Sequence, residues 1–251
     1  MIISLSTLFA PSSKERLTEA VKLRTSCRSY RGAPAIADFS ALSYYTSRYA
    51  LPGARLALLP VDDSFFTGTL LGMKRITGCR MVAAVIISGD EPRARIHAGI
   101  LGEAFVLEAT SLGLGTCWNT GTYRRKNLQT ALSANEMVLC VIAVGIPAAP
   151  LTAPRTRHRK PPEHFCRGQW REWPEQLLTA AVLVQQAPSA MNMQPWTLYV
   201  GAEGAFVVDA NERAQLDVGI ALCHAELALT IPHTWHFGTE RGDPLAWAKV
   251  K

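Results

Sequence analysis

The sequence predicts an α+β protein made of two similar half-domains docked through a pair of long helices. Three observations carry that expectation. Each half shows a pair of strand-like runs and then a helix dense in small residues. The small residues, Gly99, Gly102, Ala104 and Ala109 in one helix and Gly219, Ala221, Ala225 and Ala228 in the other, let two helix backbones approach closely. Between the halves lies a stretch rich in Pro and Arg that reads as a linker. The expected boundaries are 1–150 for the first half, 151–174 for the linker and 175–251 for the second. The implied pseudo-twofold axis rests on element order, since the two halves do not repeat in sequence.

Taken in order, helical spacing covers 14–23 and 36–48, and strand-like runs cover 54–61 and 80–88. The longest helix is expected over 93–112, with Ile96, Ile100, Leu101, Phe105, Val106 and Ala109 as apolar positions. Gly113 is placed to end it as a C-cap. A buried strand is expected at 137–144, closed by Gly145-Ile146-Pro147, and 147–174 lacks periodicity. Order resumes with a helix at 175–186, a turn through Pro188, strands at 196–200 and 205–209, and a second long helix at 215–230. The stretch 230–237 has little periodicity and reads as a truncated or divergent tail.

Composition narrows the function classes. The 251 residues are 48 % hydrophobic and 18 % charged, an ordinary globular balance. No apolar run reaches the roughly 18 residues a membrane span needs. The apolar start lacks a basic region before it, so a cytoplasmic protein without signal peptide is expected. Six cysteines form no CxxC pair and six histidines show no HExxH spacing, so neither a disulfide framework nor a metal is expected. The net charge of +6 is dispersed, without the aromatic-interleaved basic face that tracks a nucleic acid. Its main cluster is Arg155, Arg157, His158, Arg159 and Lys160, read either as a solvated linker or as a clamp for one phosphate.

The segment Ala187-Pro188-Ser189-Ala190-Met191-Asn192-Met193-Gln194-Pro195-Trp196 is the most informative. Ser189, Asn192 and Gln194 can each serve a polar ligand, while Pro188 and Pro195 fix the backbone around them. The same residues also suit an ordinary helix-to-strand turn. In Leu23-Arg24-Thr25-Ser26-Cys27-Arg28-Ser29-Tyr30, Arg24, Ser26 and Arg28 alternate. An extended backbone would put two cations and a hydroxyl on one side, suited to a phosphate, although an exposed basic strand has the same pattern. Leu112-Gly113-Leu114-Gly115-Thr116-Cys117-Trp118-Asn119-Thr120-Gly121 permits positive φ and close backbone approach to a flat ligand, or a plain C-cap over a buried Trp. Cys117 lacks an evident base and is not expected to act as a nucleophile.

Together these segments resemble the FMN-dependent nitroreductase family, with its Pro-Ser-x-x-Asn-x-Gln-Pro-Trp turn, Arg-x-Ser-x-Arg/Lys motif and Leu-Gly-x-Gly-Thr-Cys-Trp stretch. In most such proteins the flavin lies at a homodimer interface and every chain carries all the motifs. Here the first half has the arginine and glycine motifs, and only the second has the Ser/Asn turn. With Asp217-Val218-Gly219-Ile220-Ala221-Leu222-Cys223-His224-Ala225-Glu226-Leu227, that layout resembles the single-chain "TM nitroreductase" branch, in which one polypeptide imitates the dimer. The resemblance implies a nitroreductase-like fold and one FMN per chain, working as a monomer on small molecules, away from nucleic acid and membrane. It implies cofactor contacts from Arg24, Thr25, Ser26 and Arg28, from the amides of Thr120 and Gly121, and from Arg157 and Arg159. It also implies contacts from Pro188, Ser189, Ala190, Asn192 and Gln194.

Chemistry would be flavin-borne, with hydride from NADH or NADPH and a nitroaromatic or quinone as acceptor. His224 is the candidate acid, and it also reads as a core hydrogen-bonder. The absence of a GxGxxG run agrees with transient nicotinamide docking. The rivals are another flavin role on the same fold (reductive dehalogenation, flavin breakdown or flavin sequestration) and a basic nucleic-acid-binding module.

Overall fold

A computed structural model describes residues 2–3, 5, 8–9, 11–68, 75–89, 91–152, 158–238 and 243–250. The elements run β1 (Ile2–Ile3), α1 (Pro11–Leu23), β2 (Tyr30–Gly32), α2 (Ile36–Arg48), β3 (Ala50–Leu51), β4 (Ala54–Pro60), β5 (Met81–Ser88) and α3 (Pro92–Ser111). They continue β6 (Gly115–Asn119), β7 (Glu136–Pro147), α4 (Glu175–Gln186), β8 (Thr197–Val200), β9 (Ala205–Asp209), α5 (Gln215–Ala228), β10 (Trp235–Phe237) and β11 (Ala246–Lys249). The result is α+β, with two antiparallel sheets. One has the order β2-β7-β5-β4-β3 with β6 also paired to β7, and the other β1-β10-β11-β9-β8.

Strand β5 shows how sequence sets its layer. Met81-Val82-Ala83-Ala84-Val85-Ile86-Ile87 is apolar without alternation, and all seven residues are buried. Met81, Ala83, Val85 and Ile87 face the main core, whereas Val82, Ala84 and Ile86 face a second cluster around Phe65, Phe66 and Tyr123. A strand covered on both faces needs no polar positions.

Helix α3 follows the same logic. Every residue from Ile96 to Leu107 is buried, and the helix lies at the centre, packed on α1, α5 and the first sheet. Its contact with α5 is set by two glycines. A Cβ on Gly219 would stand 2.0 Å from the Ile96 carbonyl oxygen, and one on Gly99 would stand 2.2 Å from that of Leu216. Any larger side chain would therefore have to push the two backbones apart.

Several expectations are corrected. The glycine-rich stretch after α3 is not wholly a turn. Gly113 (φ +80°) ends the helix, but Gly115–Asn119 forms β6, because Gly115 leaves room for the Cys27 side chain. Strand β7 runs on through Gly145 to Pro147, where Ile146 and Pro147 pair with β2. Gly145 permits this, since a Cβ there would lie 2.4 Å from the Gly32 oxygen.

The 151–174 stretch is more than a linker in its described part. Phe165, Cys166 and Trp173 are buried, and Cys166 bridges to Leu198 of β8. The tail, which shows little periodicity, is nonetheless built into a sheet. β10 and β11 complete the second sheet around Trp235 and Phe237, both buried. β1 pairs with β10, so the first residues of the chain join the sheet built by its last. Short strands of three or four residues carry too little alternation to be seen in sequence.

A buried polar cluster ties α1 to α5. Lys14 Nζ donates to the carbonyls of Glu226 and Leu229 (2.7 Å each), capping the end of α5. The Glu226 carboxyl accepts from Trp235 Nε1 (2.9 Å) and pairs with Lys14 (3.2 Å) and His233 Nε2 (2.7 Å). Burial pushes Glu226 upward, but the bonds from His233 and Trp235, together with Lys14, outweigh it and hold the carboxyl below its ordinary 4.5. Burial likewise pushes His233 down, and Glu226 outweighs that and raises it above 6.5. The carboxylate contribution is therefore present above pH 4.5 and lost as pH falls through the folded value. The imidazolium contribution is complete below pH 6.5 and lost as pH rises through its own. Denaturant unfolding of the wild type should show maximal stability between these limits. In Glu226→Gln the dependence on both sides should flatten, and an unchanged profile would contradict this coupling.

Candidate functional site

Where the loop after α1, the loop after β6 and the turn before β8 meet, they enclose a cavity of about 450 Å³. Arg24, Ser26 and Arg28 come from the first loop, and the alternation expected of them is seen. All three line the cavity, while Thr25 does not. Their strand-like geometry comes from pairing, since Ser26 bridges Thr116 and the Cys27 amide donates to the Thr116 carbonyl (2.8 Å). Arg24 is 5 % exposed, and burial lowers its pKa against the attraction of Glu103.

Arg159 enters the same cavity from the basic segment. Burial, and after it repulsion from Arg24, brings its pKa down to about 10. Its Nε is buried without a hydrogen-bond partner among the described residues. Two desolvated, mutually repelling guanidiniums form a donor set that an anion would satisfy. Arg157 lies outside the described residues.

Thr120 and Gly121 line the cavity beside Trp118 and Asn119. One detail departs from expectation. The Gly121 amide donates to the Asn119 side-chain oxygen (3.2 Å), as does that of Thr122 (3.0 Å), so it is engaged within its own turn rather than presented to a ring edge.

The opposite wall is Pro188, Ser189, Ala190, Met191 and Asn192, with Leu216, Asp217 and Ile220 of α5. This turn holds Met191 (φ 52°), Asn192 (φ 56°) and Gln194 (φ 47°) in the left-handed region. The surrounding bonds show how. The Gln194 amide donates to Ser189 Oγ (2.8 Å), its Oε1 accepts from the Lys160 amide (2.8 Å), and its Nε2 donates to the Asn192 carbonyl (3.1 Å). Asn192 accepts from Arg159 and donates to the His158 carbonyl (2.9 Å). Gln194 is therefore corrected from a cavity residue to a latch. It is 5 % exposed and does not line the cavity.

Of the two readings of His224, the structure bears out the core hydrogen-bonder and not the acid. It is fully buried in α5, outside the cavity lining, between the Leu183 carbonyl (Nδ1, 3.0 Å) and Glu103 (Nε2, 3.0 Å). Glu103 also accepts from Trp118 Nε1 (2.9 Å). His224 is a core hydrogen-bonder that secures the wall behind the cavity.

Sequence reasoning missed Asp217, Trp118 and Met191. Asp217 Oδ1 accepts the Ala190 amide (3.0 Å) and so ties the turn to α5. Burial raises its pKa, against that bond. Its signal was its place two residues before Gly219. Among the described residues lining the cavity it is the only carboxylate. Cys117 also lines the cavity, and burial raises its thiol pKa, which disfavours the thiolate a nucleophile needs.

A family model described as "Putative TM nitroreductase" matches residues 16–229. A crystal structure from Thermotoga maritima, described as a putative nitroreductase, aligns at TM-score 0.65 and 21 % identity over 93 % of both chains. A putative NADH dehydrogenase/NAD(P)H nitroreductase from Parabacteroides distasonis aligns at TM-score 0.47 and 17 % identity, over 62 % of this chain and 99 % of its own. An FMN-dependent nitroreductase from Clostridium difficile aligns at 0.44 and 15 %, over 54 % and 90 %. No curated protein matches the chain. No helix among the described residues is long and apolar enough to cross a membrane.

The arginine pair makes a prediction that needs no cofactor. At fixed ionic strength, inorganic phosphate in place of chloride should raise the unfolding temperature by roughly 2–5 °C. Arg159→Met should abolish that rise, and a rise that persists in the variant would place the anion elsewhere.

Proposed function

Since the chain belongs to the TM nitroreductase family, we propose that it is an FMN-dependent oxidoreductase taking a hydride from NADH or NADPH and passing electrons to a nitroaromatic, quinone or similar acceptor. The observation that carries this reading is the meeting, in one cavity, of Arg24, Ser26, Arg28 and Arg159 with the Thr120-Gly121 loop and the Pro188–Asn192 turn. Anion-binding cations, a backbone loop and a polar turn are the parts a flavin nucleotide needs.

FMN, when bound, supplies the redox chemistry, and the protein supplies binding and orientation. Arg24, Arg28 and Arg159 would hold the phosphate, with Ser26 adding a hydroxyl. Asn192 keeps Arg159 turned into the cavity. Asp217 fixes the turn through the Ala190 amide, and Glu103 with His224 fixes Trp118 behind the opposite wall.

The two halves acting as an intramolecular dimer mimic, with one cofactor between them, is part of the same proposal. The matching place in the first half supports a single site. His97 precedes Gly99 by two residues, as Asp217 precedes Gly219. It bonds the Pro52 carbonyl (2.7 Å) and packs edge-on against Phe237 at 4.9 Å, filling that place with side chains. A monomer handling small molecules fits this arrangement.

The test is FMN binding to the apoprotein, followed by fluorescence quenching. Arg24→Ala should weaken affinity at least about tenfold, the worth of a charge-assisted bond, and Asn192→Ala about fivefold by releasing Arg159. Bleaching of the bound flavin by NADH or NADPH without oxygen should follow. Unchanged affinity in both variants, or no bleaching, would contradict the reading.

A further inference from the structure

Among the described residues lining the cavity, the titratable groups are Arg24, Arg28, Arg159, Cys117 and Asp217. A guanidinium does not give up its proton near neutral pH. The Cys117 thiol is pushed up by burial. Asp217 is the one group left that can pass a proton on the acid side.

Asp217 stands in the first turn of α5, where its Oδ1 accepts the Ala190 amide at 3.0 Å. No other hydrogen bond or ion pair engages the carboxyl among the described residues. Its Oδ2 is neither bonded nor sealed from solvent. The amide fixes Oδ1 as the accepting oxygen and leaves Oδ2 to carry a proton. Burial raises the Asp217 pKa, and the Ala190 bond is the one opposing pull. A guanidinium close by would hold the carboxyl down instead. Arg24 and Arg159, near enough to repel each other, therefore mark one pole of the cavity, and Asp217 stands apart from them. With a phosphate at the arginines, the uncharged part of a nucleotide extends into the rest of the cavity, which Asp217 also lines.

We propose that Asp217 is the proton donor of the cavity, its Oδ2 delivering to an oxygen of a two-electron acceptor. A quinone that receives a hydride, with both electrons, from the reduced flavin needs one proton more to become the hydroquinone. The O–H bond of the Asp217 carboxyl breaks and a new O–H bond forms on the quinone. The flavin ends oxidised, and the carboxylate takes its next proton from water. This role rests on the flavin reading above and adds the residue that supplies the proton. The charged or titratable groups around Asp217 are the three arginines, Cys117 of β6 and Cys140 of β7, whose buried thiol also feels the carboxylate. Burial pushes both thiols up, and no charged side chain of α3 or α4 acts on Asp217.

The test uses Asp217→Asn, whose side-chain oxygen can still accept the Ala190 amide but whose amide group does not titrate. Reoxidation of pre-reduced, FMN-loaded protein is followed with menadione, which needs the proton, and with ferricyanide, a one-electron acceptor that does not. The ratio of the menadione rate to the ferricyanide rate should fall about a hundredfold in the variant. In the wild type the menadione rate should fall as pH rises through the folded pKa of Asp217, which lies above 3.8, and the variant should lose that dependence. In the apoprotein, the infrared band of a protonated carboxyl, assigned by its loss in Asp217→Asn, should titrate above 3.8. An unchanged ratio, including equal slowing with both acceptors, overturns the inference alone. So does a wild-type menadione rate that is flat with pH, or a carboxyl band that titrates at or below 3.8. Failure of the wild type to load FMN overturns the flavin reading and this inference with it.

Discussion

The crossing of α3 and α5 at Gly99 and Gly219 is the constraint on which the rest of the structure depends. With a Cβ on Gly219 lying 2.0 Å from a carbonyl oxygen, the helices are as close as backbones can come. That closeness brings the two sheets onto one shared core, which runs from Leu5 to Ala248 without a break between N- and C-terminal elements. It also brings the first turn of α5 to the cavity, where Leu216, Asp217 and Ile220 meet residues held by the first sheet. Separating the axes by the width of a methyl group would move Asp217 away, and with it the Ala190 amide and the whole strained turn.

From that crossing the polar groups follow in a consistent order. Glu103 lies one turn along α3 and serves both Trp118 and His224, so one buried carboxyl joins the wall of the cavity to the partner helix. The same arrangement recurs at the far end of α5, where Glu226 serves Trp235 and His233. Buried carboxyls of this kind are costly unless every oxygen is satisfied. Here each accepts an indole N–H and meets a histidine. The arginines differ in kind, being cations set in the cavity wall. Burial lowers the pKa of both Arg24 and Arg159, and Arg24 repels Arg159, so the wall they share favours a negative charge placed between them.

Much of this was legible in the sequence because it rests on long periodic patterns and on residues whose chemistry is local. The helix over 36–48 and the strand over 205–209 were readable from apolar spacing, and the crossing helices from their glycines. Arg24, Ser26 and Arg28 could be grouped by alternation alone. What stayed hidden depends on contacts distant in sequence. Gln194 looked like a ligand group because its partner, the Lys160 amide, lies 34 residues away. His224 read both as an acid and as a core hydrogen-bonder, and Glu103, 121 residues distant, is the partner that decides for the second. β1, β10 and β11 are too short to show a period, and their pairing joins the two ends of the chain. The left-handed backbone at Met191 is invisible to pattern, because methionine is not a residue that announces it.

The central claim is that the helix crossing builds one cofactor place from two unlike halves of a single chain. The most direct measurement is the number of FMN molecules bound per chain, from native mass spectrometry of the reconstituted protein. The account predicts one FMN on a single chain. Two per chain, or one held only by a pair of chains, would contradict it.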